Sequence, residues 1–302
     1  MSNNTKFKME VPSLPEVPKT ISMYKTRKPI VEDQKKQIKS LGEFIGMKRG
    51  LKSVSETPEE LSVMEEDRVL ECYKESGSIW YGDMSKLWQE TPESIDYEKA
   101  LGVKGEPEVE KKIESMAKDI LKKSKLLPKE AYFIGTAKSE FAELKKGKVD
   151  TGETSVSGMT VSYGFKLDEI PVVGPGAKIS VNYGSDGKMV GLFKAWREGE
   201  MDKNLPVVPP EEALKKFQTS RLFADLDEDS KVTVKNFYLA HYALPAFEPQ
   251  DYLLPVYVIK VEVETPDFTH EFIRYVPAVS PEELKNEGML ADPGVFPDPD
   301  LL

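Results

Sequence analysis

Three times along this chain a stripe of apolar residues at helical spacing gives way to short runs in which apolar and polar residues alternate. Such a recurrence marks repeated supersecondary units. It restricts the fold strongly: a helix with one apolar face and strands with one apolar face shield each other when the helix lies across the sheet. The second unit shows the pattern most plainly. Gly105-Glu106-Pro107 opens a helix with proline at an early position and acids in the first turn. Val109, Ile113, Met116 and Ile120 form its stripe, and Leu127-Pro128 ends it, because the residue before a proline avoids helical geometry. A strand is expected over residues 131–144. Beyond it Met159, Val161, Tyr163, Phe165 and Leu167 alternate with Thr160, Ser162, Gly164 and Lys166, so one face is buried. Ile179, Val181 and Tyr183, the turn Gly184-Ser185-Asp186-Gly187 and the run 189–196 then read as a hairpin.

The flanking units repeat the order. The first has a short strand at 21–24, a helix carrying Ile38, Leu41 and Ile45 on one face, and strands at 61–65, 69–73 and 78–81 split by Glu66-Asp67 and Ser76-Gly77. The third starts a helix at Pro209-Pro210-Glu211-Glu212, with Ala213, Leu214 and Phe217 as its stripe, and continues with strands at 232–242, 252–264 and 268–275. The expected class is α+β, with tandem modules each of one helix packed on an antiparallel sheet of three to four strands. The expected boundaries are an extended N-terminal arm over 1–18, an N-terminal module over 19–100, a central module over 101–200, a C-terminal module over 201–279 and an acidic, proline-rich tail over 280–302.

The two ends differ in charge. Residues 1–50 hold 11 Lys and Arg against 5 acids, and Pro12, Pro15 and Pro18 keep the first segment extended. From Ser280 onward six acids face only Lys285. The simplest reading is a solvated surface at each end. The whole chain carries a net charge of −10, which argues against a general nucleic-acid binder. With 39% apolar and 31% charged residues it supports a core beneath a solvated surface. No window approaches the roughly 18 consecutive apolar residues of a membrane span, and the N-terminus lacks the apolar core of a secretory signal. The expectation is therefore a soluble protein without membrane insertion, cytoplasmic as given, or secreted or in the cell envelope if a signal peptide was removed. Cys72, the single cysteine, leaves no internal disulfide and no multi-cysteine metal site.

Gly174-Pro175-Gly176-Ala177-Lys178, the hairpin ending in Trp196-Arg197, the Pro-Glu-Glu-Ala-Leu helix start at 210–214 and Leu254-Pro255-Val256-Tyr257 together resemble tandem PepSY-type modules. These small modules, a helix on an antiparallel sheet, occur in peptidase propeptides and in envelope regulatory proteins of the YycH and YycI type. The resemblance covers about residues 157–278, while 19–90 follow only the element order. It implies non-catalytic binding, with inhibition or regulation of a peptidase or sensor as the family-like role.

Catalytic material is sparse. His241 and His270 lie on strands of one unit, and a site completed by Glu248 or Glu271 lacks the spacing of a helix-borne zinc site, so both read as partly exposed strand histidines. Asp225, Asp227 and Asp229 alternate like a calcium loop. Ser230 at the sixth position and Asn236 at the twelfth break that pattern, and a solvated acidic turn is expected instead. No nucleophile elbow, phosphate loop or dinucleotide fingerprint is present. Cys72 reads as a small buried hydrophobe and Gly174-Pro175-Gly176 as a turn or bulge. Trp80, Tyr81, Trp88, Tyr163, Tyr183, Phe193 and Trp196 read mostly as core. Trp196 with Arg197, beside Glu198 and Glu200, has the makeup of an interface anchor. With Tyr183, Tyr257, His241 and His270 the pair forms the candidate binding set, and no catalytic residue, metal or cofactor is predicted.

The leading expectation is a non-enzymatic binding or regulatory protein that offers sheet edges and inter-module surfaces to a peptide or protein partner. The extended arm would fill an edge in the same molecule or in a second copy, the latter making a homodimer. The alternative is a small-molecule enzyme or carrier with a cavity between helix and sheet, where Glu140, Glu169 or Glu262 has its pKa raised by burial. A deep, closed cavity with an unpaired carboxylate favours the enzyme, and a filled core favours the binder.

Overall fold

The computed structural model describes residues 7–87, 94–142, 154–184, 187–220, 223, 226 and 229–286. After β1 (Lys8–Glu10) and β2 (Thr20–Thr26), helix α1 (Val31–Phe44) leads into β3 (Ser55–Glu56), β4 (Glu60–Glu65), β5 (Arg68–Tyr73) and β6 (Ile79–Asp83). Short helices α2 (Met84–Leu87) and α3 (Tyr97–Leu101) precede α4 (Glu106–Lys123). Then come β7 (Ala131–Phe141), β8 (Ser155–Leu167), β9 (Ile170–Val173), β10 (Lys178–Tyr183), β11 (Met189–Ala195) and β12 (Gly199–Pro206). The last part holds α5 (Pro210–Gln218), β13 (Lys231–Tyr242), β14 (Tyr252–Glu264), β15 (Thr269–Pro277) and α6 (Pro281–Asn286). The expected turn residues Ser185 and Asp186, Trp88, Leu144, Asp225, Asp227, residues 1–6 of the arm and the tail beyond 286 lie outside the described residues.

The class is α+β, with helices flanking one large mixed sheet that joins all fifteen described strands. From β7 through β8, β10, β11, β6, β5 and β4 to β3 every pairing is antiparallel. The joint between the first two sequence units is β6 on β11, where Tyr81 lies opposite Leu192 and Trp80 opposite Phe193. Ile38 and Leu41 of α1 and Val109, Ile113, Ala117 and Leu121 of α4 therefore enter one continuous core with Leu61, Leu70, Ile79, Val161 and Val181. The buried row of α4 runs at strict i, i+4 spacing, leaving Met116 and Ile120 at its margin. Glu106 and Glu108 in its first turn and Lys122 and Lys123 in its last complement the helix dipole.

A second core gathers Ala213 and Phe217 of α5 against Phe237, Leu239, Tyr257, Ile259 and Val261 of β13 and β14. Here β2 departs from expectation. Instead of opening the first unit it lies between β12 and β14 and buries Ile21 and Met23 in this second core. Alternation identifies which face of a strand is buried but carries no record of its neighbour. The short β9 links the halves, antiparallel to β8 and parallel to β13, with Val172 opposite His241. The N-terminal arm is tied down within its own chain, since β1 pairs in parallel with β13.

Candidate functional site

Among the described residues β7 pairs with β8 alone, so the backbone N–H and C=O groups along its other side have no ladder partner. Three consecutive apolar side chains stand on this edge: Tyr132, Phe133 and Ile134, the last 61% exposed. They alternate between the two faces, and the register shifts between Phe133 and Gly135. Tyr132 and Ile134 lie across Gly164, where an added Cβ would stand 3.0 Å from both, so the glycine makes room for the pair. Lys166 Nζ sits 5.1 Å from the Tyr132 ring centre. Phe133 instead meets Tyr163 edge-on at 5.8 Å.

Farther along β7, Lys138 reaches α4 and donates to Glu106 Oε1 at 2.5 Å. Between them opens a cleft of about 260 Å³ floored by Val109, Val156 and Met159, with residues 95–98 along one wall. Two of its acids are engaged: Asp96 caps α3 by accepting from Lys99 N, and Glu106 holds Lys138. Tyr97 donates to Tyr183 O at 2.8 Å, and burial pushes its phenol up to about 12. With Asp96, Glu98 and Glu106 against Lys138, the rim carries more negative than positive charge. The arrangement suits an extended chain laid along β7, with an apolar or basic side chain turned into the cleft; it assembles no nucleophile with a base.

The six sequence-selected residues are not brought together, and five of them lie inside. Trp196 is buried, stacked on Phe165 at 4.1 Å between centroids. Arg197, expected at an interface, is 2% exposed and donates to Leu244 O, Pro245 O and Glu248 O at 2.7, 2.7 and 2.5 Å. This corrects the outward reading of the pair: the carbonyls of the 244–248 link give the guanidinium an interior partner. Tyr183 is buried in the first core, and Tyr257 in the second, donating to Val208 O at 2.6 Å. His241 is fully buried, because β2 covers it: its Nε2 lies 2.8 Å from Ser22 O and Tyr24 meets it edge-on at 5.4 Å. Burial pushes its pKa below the ordinary range, and its Nδ1 has no hydrogen-bond partner. His270 alone is exposed. His241 pairs with Pro255 on one side of β14 and His270 with Val263 on the other, eight residues or about 27 Å along that strand.

The three carboxylates of the enzyme alternative are not isolated in an interior. Glu140 is exposed, Glu169 has a side chain 94% exposed, and Glu262 accepts an ion pair from Lys235 at 2.5 Å. Among the described residues, the acid whose pKa burial raises is Glu71, with Glu60 nearby and the Tyr73 hydroxyl at 3.2 Å. A second group missed in the sequence is Lys194, 8% exposed, in register with Ile79 and through it with Cys72, its amine pushed down by burial. Like charges on neighbouring strands were the available signal for Glu71. A lysine in an otherwise apolar run gives none. Among the described residues no group of three or more His, Cys, Asp or Glu side chains is placed to hold a metal, and no helix is long and apolar enough to cross a membrane.

No protein-family model matches this chain, and no curated protein matches it. Among solved structures it is similar to an uncharacterized protein from Eubacterium rectale ATCC 33656, with a TM-score of 0.52 at 10% identity, covering 92% of this chain and 90% of that one. At that identity the likeness shows the fold alone.

Proposed function

We propose that this chain is a non-enzymatic binding or regulatory protein of tandem PepSY-like modules, and that β7 is the strand on which an extended peptide or a segment of a partner protein docks. The observation that carries the reading is the open edge of β7 with Tyr132, Phe133 and Ile134 standing on it. Main-chain pairing gives a strand-adding ligand its affinity and alternate side chains give its specificity. The acid-rich rim of the neighbouring cleft favours a ligand with a Lys or Arg among its apolar positions. The central module spans 101–200, α4 over β7, β8, β10 and β11, and the C-terminal module spans 201–279, α5 with β13, β14 and β15. That Asp96 caps α3 and Glu106 pairs with Lys138, so that neither is an isolated carboxylate, supports a binder over an enzyme.

The test is a display selection of random peptides on the full chain, followed by fluorescence anisotropy. Selected peptides alternate apolar positions, include a basic residue, and lose about tenfold or more in affinity on Ile134→Lys, while Ile273→Lys on the β15 edge leaves them unchanged. Peptides that bind Ile134→Lys as tightly as the unaltered chain, or a selection that enriches nothing, would remove β7 as the docking strand.

A further inference from the structure

The short strand β1 adds in parallel to the start of β13, with Lys8, Met9 and Glu10 opposite Lys231, Val232 and Thr233. Phe7, just before it, is buried with its ring 5.0 Å from Phe223, which meets Phe217 edge-on at 5.0 Å and tilts against Phe272 at 6.3 Å. Gln218 Nε2 comes within 3.3 Å of Met9 Sδ, and Glu10 accepts from Lys231 at 3.1 Å and from Lys8 at 2.8 Å. The ladder then stops. Pro12, Pro15 and Pro18 have no N–H to offer. On this side of β13, residues 234–240 have no strand partner among the described residues until β9 takes up His241 and Tyr242. A strand of three residues with one aromatic anchor, followed by a proline-rich segment whose Val11 and Val17 rest on the second core, thus occupies an edge with more backbone to offer than it uses.

We infer that this edge of β13 is a second docking slot, for an extended segment of another polypeptide bearing an aromatic residue, an aliphatic or thioether residue two positions on, and an acid after that, and that the chain's own arm is its built-in competitor. The occupant displays the chemistry the slot accepts. The Phe223 and Phe217 rings receive the aromatic, the α5 flank with Gln218 receives the second side chain, and Lys231 receives the acid. The arm holds its place through local concentration, on the order of millimolar for a short tether. A segment without the prolines competes by extending the ladder past Thr233. The inference stands on β13 and the arm, independently of β7.

The experiment uses the full chain and a fluorescein-labelled peptide of residues 5–12, Thr-Lys-Phe-Lys-Met-Glu-Val-Pro. The Phe7→Glu chain, which expels the anchor, is expected to bind this peptide about tenfold or more tightly than the unaltered chain, and a peptide with Ala in place of Phe is expected to bind about tenfold more weakly. Circular dichroism establishes that Phe7→Glu is folded. If it is not, Glu10→Lys, which breaks only the surface pairs with Lys231 and Lys8, serves in its place and is expected to show the same direction. Equal binding to altered and unaltered chains, or no binding to any folded variant, overturns the inference. A dimer of the unaltered chain that Phe7→Glu dissociates with no gain in peptide binding also overturns it, because the slot then serves only a second copy's arm.

Discussion

Arg197 Nη1 donates to Leu244 O at 2.7 Å inside the protein, and Nη2 of the same guanidinium reaches Pro245 O and Glu248 O, so a single side chain from the link between β11 and β12 closes the link between β13 and β14. Trp196 lies in the first core and Leu244 in the second, so the clamp spans the place where the two cores meet. Gly176 completes it, since a Cβ there would overlap Leu244 O and stand 2.7 Å from Arg197 Nη1.

Arg197→Lys retains the charge but not the planar fork, so at most part of the three-carbonyl contact survives. Urea unfolding is expected to show a loss of about 2–4 kcal/mol, from buried carbonyls left without donors. Gly176→Ala is expected to destabilise in the same direction by steric overlap. A stability change below about 0.5 kcal/mol in both variants would mean that the clamp does not hold this junction together.

Acid acts through His241. Burial, the first cause, lowers its folded pKa below the ordinary 6.5, with the Ser22 carbonyl and the Asp168 carboxylate opposing the shift. Above pH 6.5 both folded and unfolded chains hold the imidazole neutral, and its contribution is constant. As the pH falls below 6.5 the unfolded chain takes the proton first, so stability declines by up to about 1.4 kcal/mol per pH unit until the folded pKa is reached. Nδ1, the site that proton must take, is buried without an acceptor. His241→Gln keeps a donor for Ser22 O and removes the titration. Unfolding free energies between pH 7 and 5 should be flatter in this variant than in the unaltered chain, and parallel curves would show that another group sets the slope.

Cys72 is fully buried, and burial pushes its thiol up to about 12, with Lys194 only partly opposing. A thiol-specific chromogenic disulfide should leave the native chain unmodified and react stoichiometrically once urea unfolds it. Cys72→Ala should cost about 1–2 kcal/mol through the cavity it leaves. Rapid modification of the native chain would show that the strand around Cys72 opens far below the global unfolding free energy.

The sequence displays which faces are buried more readily than which strands meet. Met159, Val161, Tyr163 and Phe165 are buried as their alternation requires, and Ile113 and Phe217 lie inward on their helices. The partner of β2 is not encoded in any local pattern, because Ile21 and Met23 would bury equally well against either core. Nor is the edge position of β7: Tyr132, Phe133 and Ile134 form a consecutive apolar run, alternation places them on both faces, and nothing in the run tells that only one of its sides is paired. For Trp196-Arg197 the composition is that of an anchor, and the anchored surface proves to be the chain's own 244–248 link. The burial of His241 is hidden for a related reason: an isolated imidazole in a strand gives no sign that a segment more than two hundred residues away covers it.

The turn between β8 and β9 offers the sharpest separation of strain from contact. Asp168 and Glu169 are its only residues, with φ of 48° and 64°, the backbone of a two-residue hairpin that ordinarily employs Asn-Gly. Asp168 is compensated: its Oδ2 accepts from Tyr24 Oη at 2.5 Å and from Ser22 Oγ at 3.0 Å, and those bonds hold its carboxyl below the usual range. Glu169 is not. Its side chain points to solvent, with Lys166 at 3.8 Å as a loose partner. Glu169→Gly should therefore stabilise the chain by about 1 kcal/mol through release of left-handed strain. Asp168→Ala should destabilise it by about 2 kcal/mol, because the strain stays while both hydrogen bonds to β2 are lost. In the double variant Tyr24→Phe with Asp168→Ala, the loss should be smaller than the sum of the two single losses, since both remove one contact. Strict additivity in that cycle, measured by urea unfolding, would show that the tie from β2 to this turn carries no stability.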